Sequence, residues 1–101
     1  MLFNRLKTAQ KPTTDYVTLR ELATSKFPKI RAAVAANPNT QSYVLETLAT
    51  DSNATVRAHL ATNKNLPAKS WDVLADDKDE KVKEALKLAH PEKPAKKGHR
   101  A

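Results

Sequence analysis

The chain has 101 residues, 40% hydrophobic and 29% charged, with no cysteine and a formal net charge of +7. That length allows one domain with a modest core and leaves no room for a separate catalytic domain. The missing cysteines exclude disulfides, thiolate metal sites, iron–sulfur ligation and cysteine nucleophiles, suit a reducing compartment, and leave stability to helix packing.

The charge sits mostly at the ends. Arg5, Lys7 and Lys11 give residues 1–13 a charge of +3, and Lys93, Lys96, Lys97 and Arg100 against Glu92 give residues 91–101 another +3. Residues 14–90 carry 11 basic and 10 acidic side chains, so the body is close to neutral. Basic ends on a neutral body suit solvating arms at least as well as a docking surface.

In chain order, the opening stretch MLFNRLKTAQ has scattered apolar positions and no run long enough for a signal peptide or a membrane span. A cytoplasmic bacterial protein without membrane contact is the expectation. Leu2, Phe3 and Leu6 fall on one helical stripe, which predicts an N-terminal capping helix within residues 1–13; the stretch is too short and too weakly amphipathic for a membrane-surface helix.

Residues 14–90 match themselves at an offset of 26 residues. Ile30-Arg31 returns as Val56-Arg57 and Val82-Lys83, and Val34, Leu60 and Leu86 share a column. Leu19, Leu45 and Trp71 align, as do Leu22, Leu48 and Leu74, then Ala23, Ala49 and Ala75; Ser25, Asp51 and Asp77 follow. Apolar spacings of three and four, never strict alternation, make each unit two short helices and rule out strands.

The first helices are predicted over residues 15–24, 41–50 and 67–76, with Thr40 as an N-cap and Pro67 in a first turn. The second helices are predicted over residues 28–36, 54–62 and 80–89, with Asn53 and Asp79 as N-caps. Pro38 disfavours helical geometry at Asn37, so the Asn-Pro-Asn turn is a hinge between units. Residues 91–101 hold two prolines, a glycine and four basic residues without apolar periodicity, which predicts a disordered basic tail.

The run Ile-Arg-Ala-Ala-Val-Ala-Ala-Asn-Pro-Asn-Thr from Ile30, with Val44-Leu45-Glu46, Leu48-Ala49 and Asp51, resembles the leucine-rich repeat variant family and its broader HEAT-type relatives over about residues 14–90. The last unit departs most, with Lys64-Asn65 for Pro38-Asn39 and Lys83 in the arginine column. The resemblance implies an all-α, right-handed solenoid of about three two-helix repeats behind the capping helix, alternating α with 3₁₀ or short α-helices, the first helix of each unit being the candidate 3₁₀ one. The family's original member bore an iron–sulfur cluster on an added cysteine-rich segment, an activity that does not carry over to a chain without cysteine.

Candidate sites are few. The Arg31, Arg57, Lys83 column places one cation per unit on a common face and could follow a phosphate backbone, but Asp51 and Asp77 run beside it and make an ionic ladder along the stack the favoured reading. The run Asp76, Asp77, Asp79, Glu80 lacks a turn glycine and is broken by Lys78, so helix capping explains it better than calcium. His59, His90 and His99 lack metal-site spacing, and no Ser or Thr has a base and an orienting partner. Gly98 is the single glycine, which excludes a phosphate-cradling loop, and Trp71 in a leucine column reads as core.

The sequence therefore predicts no catalytic, cofactor or metal residues. It points to a non-catalytic module binding a protein partner, or another copy through the ends of the stack. The alternative is a nucleic-acid binder whose phosphate contacts are Arg31, Arg57 and Lys83 with Lys93, Lys96, Lys97 and Arg100 in the tail.

Overall fold

Helix starts recur at the interval of the sequence columns. The computed structural model describes residues 2–92, apart from the side chains of Leu2 and Phe3, and contains α1 (Leu2–Gln10), α2 (Tyr16–Leu22), α3 (Pro28–Ala36), α4 (Ser42–Leu48), α5 (Ala54–Ala61), α6 (Ala68–Ala75) and α7 (Glu80–Ala89). The described residues form no strand. The first helices α2, α4 and α6 are α-helical throughout, seven or eight residues long, rather than 3₁₀.

The boundaries follow from local chemistry. Asp15 accepts a hydrogen bond from the Thr18 amide at the start of α2, Asn53 accepts from the Thr55 and Val56 amides at α5, and Asp79 accepts from the Lys81 amide at α7. Pro28 opens α3 at the position where a missing N–H costs nothing. Thr40 is not the cap expected of it. Gln41 occupies the N-cap of α4, while the buried Thr40 hydroxyl points back and donates to the Val34 carbonyl at 2.8 Å. Asn37, ahead of Pro38, has φ −74° and ψ 124°, so the chain leaves the helix where the proline requires.

Two layers result. Helices α1, α3, α5 and α7 pack side by side in sequence as an inner row, and α2, α4 and α6 pack against it from outside. The body measures 48 × 21 × 19 Å, the proportions of a stack rather than a ball. Between the layers runs one continuous core, in which Leu19, Ile30, Val34, Leu45, Val56, Leu60, Leu74 and Val82 are fully buried. At roughly 1.5–3 kcal/mol for each large side chain removed from water, this core is the main favourable term. Trp71 is half-buried and packs against it, as its column predicts.

Helix α1 is more than a cap. Leu2–Gln10 lies 26 residues before Pro28–Ala36 and has the same length of nine residues. Arg5 stands one period before Arg31, and the fully buried Ala9 one period before Ala35. It packs on α3 as α3 packs on α5, so it is the second helix of a further half-unit. Its polar residues hide the apolar column that marks the later units.

Candidate functional site

Three features occupy the junctions between helix pairs: an ionic ladder, an asparagine ladder and a groove.

The ionic ladder links each unit to the next. Arg31 Nε lies 2.7 Å from Asp51 Oδ2 and Nη2 3.1 Å from Oδ1, while Nη1 donates to the Ser25 carbonyl at 2.7 Å. One period later Arg57 holds Asp77 with the same two distances and donates from Nη1 to the Asp51 carbonyl at 2.6 Å. The guanidinium fork thus meets a planar carboxylate in two parallel bonds, the strongest geometry available to an ion pair. Each aspartate also accepts the amide two residues on, from Asn53 and Asp79 respectively. Ser25, in the same column, accepts the Phe27 amide in the same way but carries no charge.

These contacts set the protonation of the pair. Burial pushes the Asp51 and Asp77 carboxyls up, but the arginine hydrogen bonds, the amide donors and the nearby cations outweigh it, and both sit below the ordinary aspartate value. Hydrogen bonds to their carboxylates raise Arg31 and Arg57 in turn. Lys83 stands apart from the ladder: its ammonium lies 3.1 Å from Glu80 on its own helix, with 40% of its side chain exposed.

The asparagine ladder had no counterpart among the sequence expectations. Asn37, buried, donates from Nδ2 to the carbonyls of Ala9 and Lys11 at 2.8 and 2.7 Å and accepts the Asn39 amide at Oδ1. Asn63 repeats this with Ala35, Asn37 and the Asn65 amide. Each amide side chain therefore satisfies orphan carbonyls at the end of the preceding inner helix. Ala89 ends the column, and the neighbouring His90 supplies the next rung through Nε2, 3.0 Å from the Ala61 carbonyl. The repeated Asn37 and Asn63 were the available signal, but a turn explained them without any need for burial.

The groove crosses the inner row where α1, α3 and α5 meet and holds about 640 Å³. Ala32, Ala33 and Ala36 of α3 form its floor, Leu6 and Gln10 one wall, Thr55 and His59 the other, with Pro28, Lys29 and Pro38 at its margins. Among the described residues that line it, Lys29 and His59 are the only ionisable ones, and none is a carboxylate. His59 Nδ1 lies 2.9 Å from the Thr55 carbonyl one turn earlier.

Of the candidate phosphate contacts, Arg31 and Arg57 are thus engaged in the ladder and Lys83 with Glu80; Lys93, Lys96, Lys97 and Arg100 lie outside the described residues. Within the acidic run Asp77 serves the ladder and Asp79 caps α7. Among the described residues, no group of three or more His, Asp or Glu is placed to hold a metal ion, and no helix is long and apolar enough to cross a membrane.

A family model described as the Leucine Rich Repeat Variant domain matches residues 4–64, more than half of the chain. The match takes in most of α1 and ends just after α5, leaving out the last helix pair, whose Ser70, Trp71 and Lys83 depart from the columns. Comparison with curated proteins and with solved structures finds no match.

Proposed function

The chain belongs to the Leucine Rich Repeat Variant family, and from that premise we propose a non-catalytic interaction module that binds a protein partner across its inner row. In this reading the stack is a right-handed solenoid of three helix pairs behind the half-unit α1, working in a reducing, cytoplasmic compartment.

The observation that carries the reading is the commitment of Arg31 and Arg57 to Asp51 and Asp77. Their guanidinium forks are spent inside the stack, with 16% of each side chain exposed, so the column with the spacing to follow phosphates serves cohesion. The groove on the inner row is largely apolar, which rewards partner side chains more than a solvated phosphate backbone.

A peptide-display selection with the full chain as bait tests this. Enriched peptides should perturb the backbone amide signals of α1, α3 and α5, and labelled duplex and single-stranded DNA at low and moderate salt should bind no more tightly than to a small basic control protein. DNA binding that disappears in a folded Arg31→Ala, Arg57→Ala variant, with no peptide enriched, would overturn the reading.

A further inference from the structure

We infer that the groove over α1, α3 and α5 takes an acidic amphipathic peptide segment, an inference that rests on the protein-binding reading and narrows its partner.

The first support is a charge asymmetry written into the helices. LFNRLKTAQ, PKIRAAVAA and ATVRAHLA, the sequences of α1, α3 and α5, contain no aspartate or glutamate and hold Arg5, Lys7, Lys29, Arg31 and Arg57. The carboxylates that balance the body lie elsewhere, and two of them, Asp51 and Asp77, neutralise Arg31 and Arg57. Among the groove's described lining residues, the cation that remains is the exposed Lys29. A ligand entering here meets the Lys29 ammonium and, among the described lining residues, no carboxylate, so its carboxylates gain and its ammonium groups lose.

The second support is the apolar floor. Ala33 and Ala36 are half-buried and stop at Cβ, so the surface between Leu6 and His59 is low and unobstructed. A segment with an apolar stripe lays that stripe on the alanines while its acidic flank reaches Lys29, which is the helix-in-groove mode of recognition. Nucleic acid fits less well. A duplex carries about one charge per 1.7 Å of axis, and one lysine beside an apolar floor matches neither that density nor its hydration. Ala33 also shares its column with His59, so the fold already accommodates a large side chain at that register.

The test uses the full chain and three synthetic helical peptides of about 18 residues, long enough to span roughly 27 Å. The first bears a leucine stripe with glutamate on its polar face, the second the same stripe with lysine, and the third glutamate with the stripe changed to serine. Fluorescence anisotropy gives the affinities, and amide chemical shifts give the location. The leucine–glutamate peptide should bind at least about tenfold more tightly than either control, shift the signals of Ala33, Ala36 and His59, and weaken by about tenfold in Lys29→Glu. Ala33→Gln should block it while leaving the melting temperature near that of the parent, and Lys29→Glu, at an exposed site, guards against a folding artefact.

Equal binding of the lysine peptide on the same amides would overturn the acidic preference and leave the protein-binding reading standing. Binding untouched by both variants would overturn the groove assignment. Silence from all three peptides together with DNA binding would overturn both.

Discussion

Arg57 spans the junction between the second and third helix pairs to grip Asp77 with two bonds of 2.7 and 3.1 Å, the distances found between Arg31 and Asp51 one period earlier. The aspartate side chains are 7–8% exposed, so each pair is shielded from most of the solvent screening that makes surface ion pairs weak.

Removing one partner should therefore cost more than a surface pair is worth. Arg57→Ala strands the Asp77 carboxylate and the Asp51 carbonyl, and the loss should be about 2 kcal/mol, between the surface and fully buried limits. Arg57→Ala with Asp77→Ala should lose less than the two single losses together. Lys83→Ala, which breaks only an exposed pair within one helix, should fall within about 0.5 kcal/mol of the parent. Chemical denaturation of all four proteins decides this; equal losses for Arg57→Ala and Lys83→Ala would mean that the rung does not hold the units together.

The ladder also fixes the acid limb of stability. Asp51 and Asp77 both sit below the ordinary value of 3.8 when folded. The unfolded chain then takes up protons first as pH falls, so the stabilisation is fully present above about pH 5 and is lost as pH drops below 4 and through the lowered folded values. Melting temperature should be flat from pH 7 to 5 and fall steeply below pH 4. Asp51→Asn with Asp77→Asn should be less stable at neutral pH and show a shallower acid fall.

Much of this was legible in the sequence. The column Ile30, Val56, Val82 and its neighbours placed the starts of α3, α5 and α7 at residues 28, 54 and 80, because a core column can tolerate almost no shift in register. The arginine and aspartate columns were equally visible, but a linear period cannot say whether Asp51 meets Arg57, six residues on, or Arg31, twenty residues back. Only the stacking of one pair on the next decides for Arg31. The Thr40 cap was misjudged, and the inward side chain of Asn37 missed, for a related reason. Hydroxyls and amides serve caps and turns equally well in the open, and their inward direction follows from the neighbouring helix rather than from their own residues. The groove was illegible because it belongs to three helices at once.

Asn63 gives the sharpest test of what was missed. Asn63→Ala leaves the Ala35 and Asn37 carbonyls and the Asn65 amide without their partner, and each buried orphan carries a desolvation cost, for a total of about 2 kcal/mol. Asn63→Asp keeps the acceptor for Asn65 but turns a carboxylate toward two carbonyls, so it should be the worse of the two. Amide exchange at Asn65 and denaturation should both report this order, and an Asn63→Asp protein as stable as the parent would refute the ladder.

The last helix pair invites the opposite substitution. Ser70 is 1% exposed and its hydroxyl is buried without a hydrogen-bond partner, in the column that holds Val44 one unit earlier. An unsatisfied buried hydroxyl costs about 1–3 kcal/mol, so Ser70→Ala should raise stability by about 1 kcal/mol, and Ser70→Val should do at least as well if the Val44 packing is reproduced. Local exchange carries the argument further. Because α6 combines this orphan with a tryptophan in a leucine column, its amides should exchange faster than those of α4, and Ser70→Ala should slow them selectively. If Ser70→Ala instead destabilises the protein and leaves α6 exchange unchanged, the hydroxyl has a partner in solution and the weak point of the stack lies elsewhere.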